Sequence, residues 1–359
     1  MRFLPTEEQR DFARSLDAML TAADTPTAIR AWAAGDATPG RALWSRLAEA
    51  GVLALAVPEP YEGMGPLPVE LATAFVELGR HAAPGPLVET VAAAGLLTEL
   101  AASGETGPAK RLLPGLASGA TVATLAMPTG PVPTPDPPAG RGQAFRTAEQ
   151  PPTTEVLALD ADVADVILVV RGDELWMAPG HEGVRVSADP ARRLARPSPG
   201  GELLAAGSAV REAAAHARLW AMLATAAQAL GVGLTLLDRT VAYAKQRRQF
   251  GTEIGSFQAV KHRLADTLIA LEFARPLLFG AAVTLRSTDL AAAKTAAGEA
   301  AYTAARTALQ IHGAVGYTEE LDLSLWLRKA RPLRDAWGTP SWCRAMVMET
   351  YDEVYDTGS

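Results

Sequence analysis

At 359 residues and 37.6 kDa the chain can bury a large core and is expected to fold as two or three packed units. Its net charge of -7 and pI near 5.4 argue against a nucleic-acid or anionic-membrane partner. No run of about 18 uncharged apolar residues occurs, so no membrane span is expected.

The N-terminus, Met1-Arg2-Phe3-Leu4-Pro5-Thr6-Glu7-Glu8, lacks the basic start and apolar run of a secretory signal, which predicts a cytoplasmic chain. A single cysteine, Cys343, excludes an internal disulfide and a cysteine-built metal cluster. The five histidines stand singly at 81, 181, 216, 262 and 312, and they read as packing or surface residues, with no metal expected. Hydrophobic residues make up 48% and alanine fills long tracts, which favours helix over sheet.

In chain order, Thr6-Glu7-Glu8-Gln9 fits a capping box and predicts a helix over 7–22. A second helix reads over 42–50 and stops at Gly51. The short, Pro-bounded run Val52-Leu53-Ala54-Leu55-Ala56-Val57-Pro58-Glu59 predicts an extended buried crossing, followed by a turn at 61–65. Helical patterns resume through Val69, Ala72, Phe75, Val76 and Gly79, and again over 87–102.

Near Pro114 the composition shifts toward Gly, Pro and Val, with β-type runs at 121–126, 155–159, 166–170, 174–177 and 184–186. A Pro-, Gly- and Thr-rich segment at 129–154 predicts a long loop. From Glu212 onward the pattern is helical almost throughout, over 212–246, 257–287, 289–313 and 322–330, with a last helix after Pro340. The fold class expected is therefore mainly α with a small central β domain. It divides into an N-terminal helical domain at 1–115, a middle β domain at 116–208 and a C-terminal helix bundle at 209–359.

Two long helical patterns are joined by Arg247-Arg248-Gln249-Phe250-Gly251 and Thr252-Glu253-Ile254-Gly255-Ser256-Phe257-Gln258. A guanidinium is a rigid fork of donors that suits phosphate oxygens, so this turn can hold a pyrophosphate with Phe250 packed beside it. The residues alone leave a second reading open, a solvated basic turn with one anchoring ring. A later turn, Gln310-Ile311-His312-Gly313-Ala314-Val315-Gly316-Tyr317, ends another helix, with glycines suited to an open backbone.

Arg-x-x-Phe-Gly followed by Ile-Gly-x-Phe-Gln resembles the acyl-CoA dehydrogenase family. The words at 50–59, Glu77-Leu78-Gly79-Arg80 and the Gln310 turn resemble it too, so the likeness covers nearly the whole chain. It implies the family's three-domain fold and an FAD cofactor. Arg247, Gln249, Phe250, Gln310 and Gly313, together with Thr339, would be its cofactor contacts, the turns reaching the FAD of a neighbouring subunit. Ala314 stands where the family's turn has a second glycine.

In these relatives a glutamate takes a proton from the carbon next to the thioester carbonyl while the flavin accepts a hydride from the next carbon. One place for that glutamate corresponds here to Ala336-Trp337-Gly338-Thr339, with Trp337 at the Glu position. The other corresponds to Ala221-Met222. An indole, a methyl and a thioether accept no proton, so the resemblance implies that the chain lacks its own catalytic base. Among substitutes, Glu212 and Glu349 lie roughly 10 Å or more along their helices at about 1.5 Å per residue. Asp335, two residues before Trp337, is the remaining candidate.

The middle domain departs from the family as well. Met127-Pro128-Thr129-Gly130-Pro131 stands where relatives carry a Thr-Glu-Pro-Gly-rich loop over the flavin, and Trp176 reads as a core residue rather than the family's flavin-side Trp. The resemblance thus implies a subunit of a two-gene heterotetrameric acyl-CoA dehydrogenase. Its partner would be a second, base-bearing subunit of the same family, its substrate an acyl-CoA, and its electron acceptor an electron-transfer flavoprotein or similar protein. Three other readings share the fold: a flavin-dependent monooxygenase, a non-catalytic scaffold subunit, and an ordinary homotetrameric dehydrogenase with an unrecognised base.

Overall fold

The computed structural model describes residues 5–128 and 156–356, so the predicted 129–154 loop lies outside the described residues. The chain opens on α1 (Glu7–Ala22), where the Thr6 hydroxyl accepts the Gln9 N–H at 3.2 Å and the Gln9 side chain accepts the Thr6 N–H at 2.9 Å. The capping box thus forms as the sequence predicts. Helices α2 (Thr25–Ala33), α3 (Thr38–Glu49), α4 (Pro68–Arg80), α5 (Leu87–Ala102) and α6 (Thr106–Ala117) complete the first helical layer.

Residues Val52–Ala56 are a fully buried 3-10 helix, which corrects the extended crossing expected there. Gly51 enters it at φ 77°, and i→i+3 bonds run from Ala54 N–H to Gly51 O at 3.1 Å and from Val57 N–H to Ala54 O at 3.1 Å. Buried backbone must be paired, and a tight helical turn pairs it locally without a neighbouring strand. Helices α2 and α6 are short and carry Pro, with Gly as well in α6, and the periodicity reading passed over both.

The β layer holds two small sheets. One has the strand order β1-β3-β4-β7, built from β1 (Ala123–Ala126), β3 (Val166–Arg171), β4 (Glu174–Met177) and β7 (Glu202–Ala206), with β1 parallel to β3. The other has the order β2-β6-β5, from β2 (Ala158–Leu159), β6 (Arg193–Pro197) and β5 (His181–Val186). Strands β6 and β7 have no counterpart among the predicted strands. Trp176 is half-buried on β4 rather than deep in the core, its indole N–H donating to Glu174 Oε2 at 2.9 Å.

The last layer is a bundle around α7 (Ser208–Gln246), 39 residues and therefore about 58 Å long. It packs on α4, α5 and α10 (Leu323–Asp335), and on α8 (Gln258–Thr284) and α9 (Ser287–His312), while α11 (Pro340–Asp356) closes over α9. Glycine makes the α4–α7 crossing intimate. A Cβ on Gly79 would lie 2.1 Å from Gln228 O, and one on Gly231 would lie 2.0 Å from Val76 O, so the two backbones touch. Both α7 and α8 contain a stretch long and apolar enough by composition to cross a membrane, the α8 stretch carrying Glu272 and Arg275. The α7 stretch is 89% buried within the chain, as a core helix must be, but the α8 stretch is only 39% buried. It leaves Leu268, Ile269, Phe273 and Leu277 on the surface.

Candidate functional site

The turn after α7 is a two-residue hairpin. Strands β8 (Arg248–Gln249) and β9 (Thr252–Glu253) pair antiparallel, Gln249 opposite Thr252, so Phe250 and Gly251 form the loop. Their φ angles of 53° and 81° are those of a mirror-image turn, which suits the twist of a hairpin but is costly for an aromatic residue. Phe250 is also 93% exposed, touching only the edge of Phe257 at a ring-centroid distance of 6.3 Å. The chain itself gives that ring almost no burial in return for its strained backbone.

Arg247 closes α7, its N–H on Tyr243 O at 2.9 Å and its carbonyl on Ile254 N–H at 2.8 Å. Its guanidinium is exposed and has no hydrogen bond or ion pair among the described residues. Arg248 reaches only Gly251 O at 3.4 Å, and Gln249 is exposed. This donor set fits a diphosphate approached from outside the chain.

The end of α9 meets the end of α7 through Tyr243 and His312, whose rings stack at 4.1 Å and 23°. Burial holds His312 below the usual histidine range, and its Nδ1 bonds Ala308 O at 2.8 Å. Gly313 follows at φ 62°, a conformation suited to glycine. Gln310, two residues before His312, is exposed and lines a groove of about 390 Å³ between α8 and α9 with Arg263, Asp266, Thr303 and Arg306. Thr339 lies apart, at the start of α11, where its hydroxyl accepts the Trp342 N–H at 3.3 Å.

Both positions that the resemblance assigns to the base lie inside. Ala221 and Met222 are fully buried on α7, the Ala221 carbonyl accepting the Thr225 hydroxyl at 2.7 Å. Trp337 is 7% exposed at φ 56°. Its loop is held by the buried Lys294 ammonium, which donates to Leu333 O at 3.0 Å, Arg334 O at 2.8 Å and Gly338 O at 3.2 Å. Burial pulls the Lys294 pKa down to about 8.

Asp335 is exposed, with Arg334 donating to it at 3.4 Å, and it does not reach the space beside Trp337. The carboxyl that does is Glu89 on α5, 4% exposed, whose Oε1 accepts the Trp337 indole N–H at 3.1 Å. Sequence reasoning passed over Glu89. The available signal was a lone carboxylate inside the run 87–97, apolar apart from Thr90, since acidic side chains are almost never fully buried without a partner. A cavity of about 230 Å³ opens beside it, also walled by Leu125, Met127, Leu159, Arg192 and Leu194.

Residues 6–120 match the acyl-CoA dehydrogenase N-terminal domain and residues 202–351 its C-terminal domain. The chain belongs to the acyl-CoA dehydrogenase family. It is 32% identical to acyl-CoA dehydrogenase IpdE2 of Mycobacterium tuberculosis, over 98% of this chain and 99% of that one. Among solved structures it superposes on the ChsE4-ChsE5 complex of Mycobacterium tuberculosis with a TM-score of 0.74 at 24% identity, covering 98% and 99% of the two chains. The steroid ACAD Tcur3481-Tcur3483 gives a TM-score of 0.78 at 23% identity, with the same coverage. The three-layer order of helices, β domain and helices is thus the family fold, and membership implies a flavin-dependent oxidoreductase of acyl-CoA metabolism.

Proposed function

We infer that this chain is one subunit of a two-gene, FAD-dependent acyl-CoA dehydrogenase, which lends a donor set to the FAD seated in a partner subunit that carries the catalytic glutamate. The observation that carries this reading is the contrast between two places. At 247–250 there are unpaired donors and a 93% exposed ring on a costly turn, while Trp337 and Ala221 fill both base positions inside the core. Similarity to a chain of the ChsE4-ChsE5 complex supports an assembly of unlike chains. So does the exposed apolar strip on α8, since contiguous apolar surface on a soluble fold marks an interface.

In this assembly Arg247 offers paired N–H donors to diphosphate oxygens, Gln249 and Gln310 add amide donors, and Phe250 packs its ring against the coenzyme. Gly313 keeps the backbone after Gln310 open, and Thr339 supplies a hydroxyl. When bound, FAD supplies the hydride acceptor for α,β-dehydrogenation of the acyl-CoA. The proton goes to the partner's carboxylate, and an electron-transfer flavoprotein or a similar acceptor takes the electrons onward.

The test is co-expression with a base-bearing dehydrogenase chain encoded nearby, followed by a flavin-to-protein ratio. One FAD per two chains is expected, with flavin lost on Arg247→Ala. Unchanged flavin in that variant would leave only a scaffold role, and a full flavin complement with thioester turnover by this chain alone would end the reading.

A further inference from the structure

Away from both the donor turn and the Trp337 loop, the first helical layer gathers three metal-ligating side chains. Glu77 and His81 stand four residues apart at the end of α4, where the His81 N–H donates to Glu77 O at 3.1 Å, so both side chains leave the same face of the helix. Asp17 of α1 meets them from the neighbouring helix, its Oδ1 2.8 Å from His81 Nε2. One ring nitrogen and two carboxylate oxygens thus lie within 4.8 Å of one another. The pairing of His81 with Asp17 accounts for two of these groups but not for the third. Glu77 keeps only 13% of its side chain exposed, and its carboxylate accepts no hydrogen bond among the described residues. Arg80 holds its Nε 3.6 Å from Glu77 Oε2 while its Nη2 donates to Asp238 at 3.1 Å, and the nearby Arg275 is paired with Glu272 at 3.1 Å. A largely buried carboxylate that faces a second carboxylate and an imidazole without a donor of its own asks for an explanation.

We propose that Asp17, Glu77 and His81 form a site for a divalent transition-metal ion of the zinc type. The donor set selects that class. An imidazole suits zinc and its transition-metal neighbours, whereas calcium and magnesium take oxygen shells. Two carboxylates balance the charge of the ion, and no thiolate is required. Ligand atoms about 2.0–2.2 Å from a tetrahedral ion stand about 3.3–3.5 Å apart, so side-chain rotation of Glu77 and Asp17 suffices to close the triangle. Asp17 and His81 also line a groove of about 470 Å³ with Thr21, Thr235 and Asp238, which leaves a water or an incoming ligand access to the fourth position. Bound there, the ion ties α1 to α4. The spacing of the histidines carries no sign of such a site, because His81 finds its partners in carboxylates, one four residues back and one 64 positions away. The proposal does not rest on the FAD reading, because its test uses neither coenzyme nor partner.

The experiment is a calorimetric titration of the tag-free full chain, stripped with a chelator, with zinc chloride. One Zn²⁺ per chain is expected, retained in about a hundredfold excess of Mg²⁺ because the imidazole disfavours the harder ion. His81→Asn and Asp17→Asn should each weaken binding by at least about tenfold, while His262→Asn, at an exposed histidine on α8, should leave it unchanged. Should His81→Asn fail to fold, Asp17→Asn decides the matter, since the Asp17 side chain is 54% exposed and its change uncovers no core. Absence of zinc uptake, displacement by Mg²⁺, an affinity unmoved by Asp17→Asn, or one lost in His262→Asn overturns the proposal.

Discussion

Asp160 offers a sharp physical test of how this β domain is built. It is fully buried at the end of β2, with Oδ1 accepting the Arg193 N–H at 3.1 Å and Oδ2 unpartnered. Burial pushes its carboxyl from 3.8 up to about 7, and the nearby Glu89 carboxyl adds to the effect. The folded chain therefore keeps a proton that the unfolded chain releases between about pH 4 and pH 7. The sign follows directly. This group's contribution to stability is complete below its unfolded pKa, is lost as pH rises through the folded value, and is flat above it. At about 1.4 kcal/mol per pH unit, the full window from 3.8 to about 7 is worth about 4 kcal/mol, and the part between pH 5 and pH 7 about 2–3 kcal/mol.

Asp160→Asn cannot ionise, keeps an acceptor for Arg193, and suits the φ of 51° at this position. Urea unfolding of both proteins at pH 5, 6 and 7 is the assay. Glu77, also pushed up to about 7 by burial, contributes the same slope to each and cancels in the comparison. Wild type should lose about 2–3 kcal/mol more than the variant between pH 5 and pH 7. Parallel stability curves would refute the reasoning, because they would mean that the carboxyl reaches water in the folded chain.

Two further outcomes follow from the backbone. Gly231→Ala places a methyl 2.0 Å from Val76 O and 2.7 Å from Arg80 N, so α4 and α7 must part; a loss of about 3 kcal/mol in urea unfolding is expected, and one below about 1 kcal/mol would contradict the packing. Phe250→Asn should separate stability from function. Asn accepts a positive φ readily, so the isolated chain should hold its stability or gain about 0.5 kcal/mol, while the two-chain complex retains less FAD on gel filtration.

What could be read in advance followed the strength of local signals. Thr6 and Gln9 set the start of α1 because a capping box is written within four residues, and the α5 span follows from an apolar run bounded by Pro86 and Gly104. The 247–251 turn was placed as a helix-to-helix connection by the apolar faces on either side, and its hairpin form is set by Phe250-Gly251. Strands β6 and β7 escaped because their residues, such as Arg193, Arg196 and Glu202, earn their places through partners elsewhere. Arg193 reaches the Trp32 carbonyl at 3.1 Å and Arg111 pairs with Glu202 at 2.7 Å. Glu89 escaped for the same reason: only the fold sets it against Trp337, a residue 248 positions away.

The Trp337 loop ties these strands together. An aromatic residue at φ 56° costs of order 1–3 kcal/mol unless its surroundings fix it there. Here they do so from both sides, Lys294 binding three carbonyls around the loop and Glu89 holding the indole. Burial of an ammonium for that purpose is itself expensive, as its pKa near 8 records. The loop is therefore held in one position by two buried titratable groups, although the side chain it presents accepts no proton. Physically, such an arrangement keeps a shaped wall rather than a base. It fits the proposal that proton abstraction belongs to another subunit.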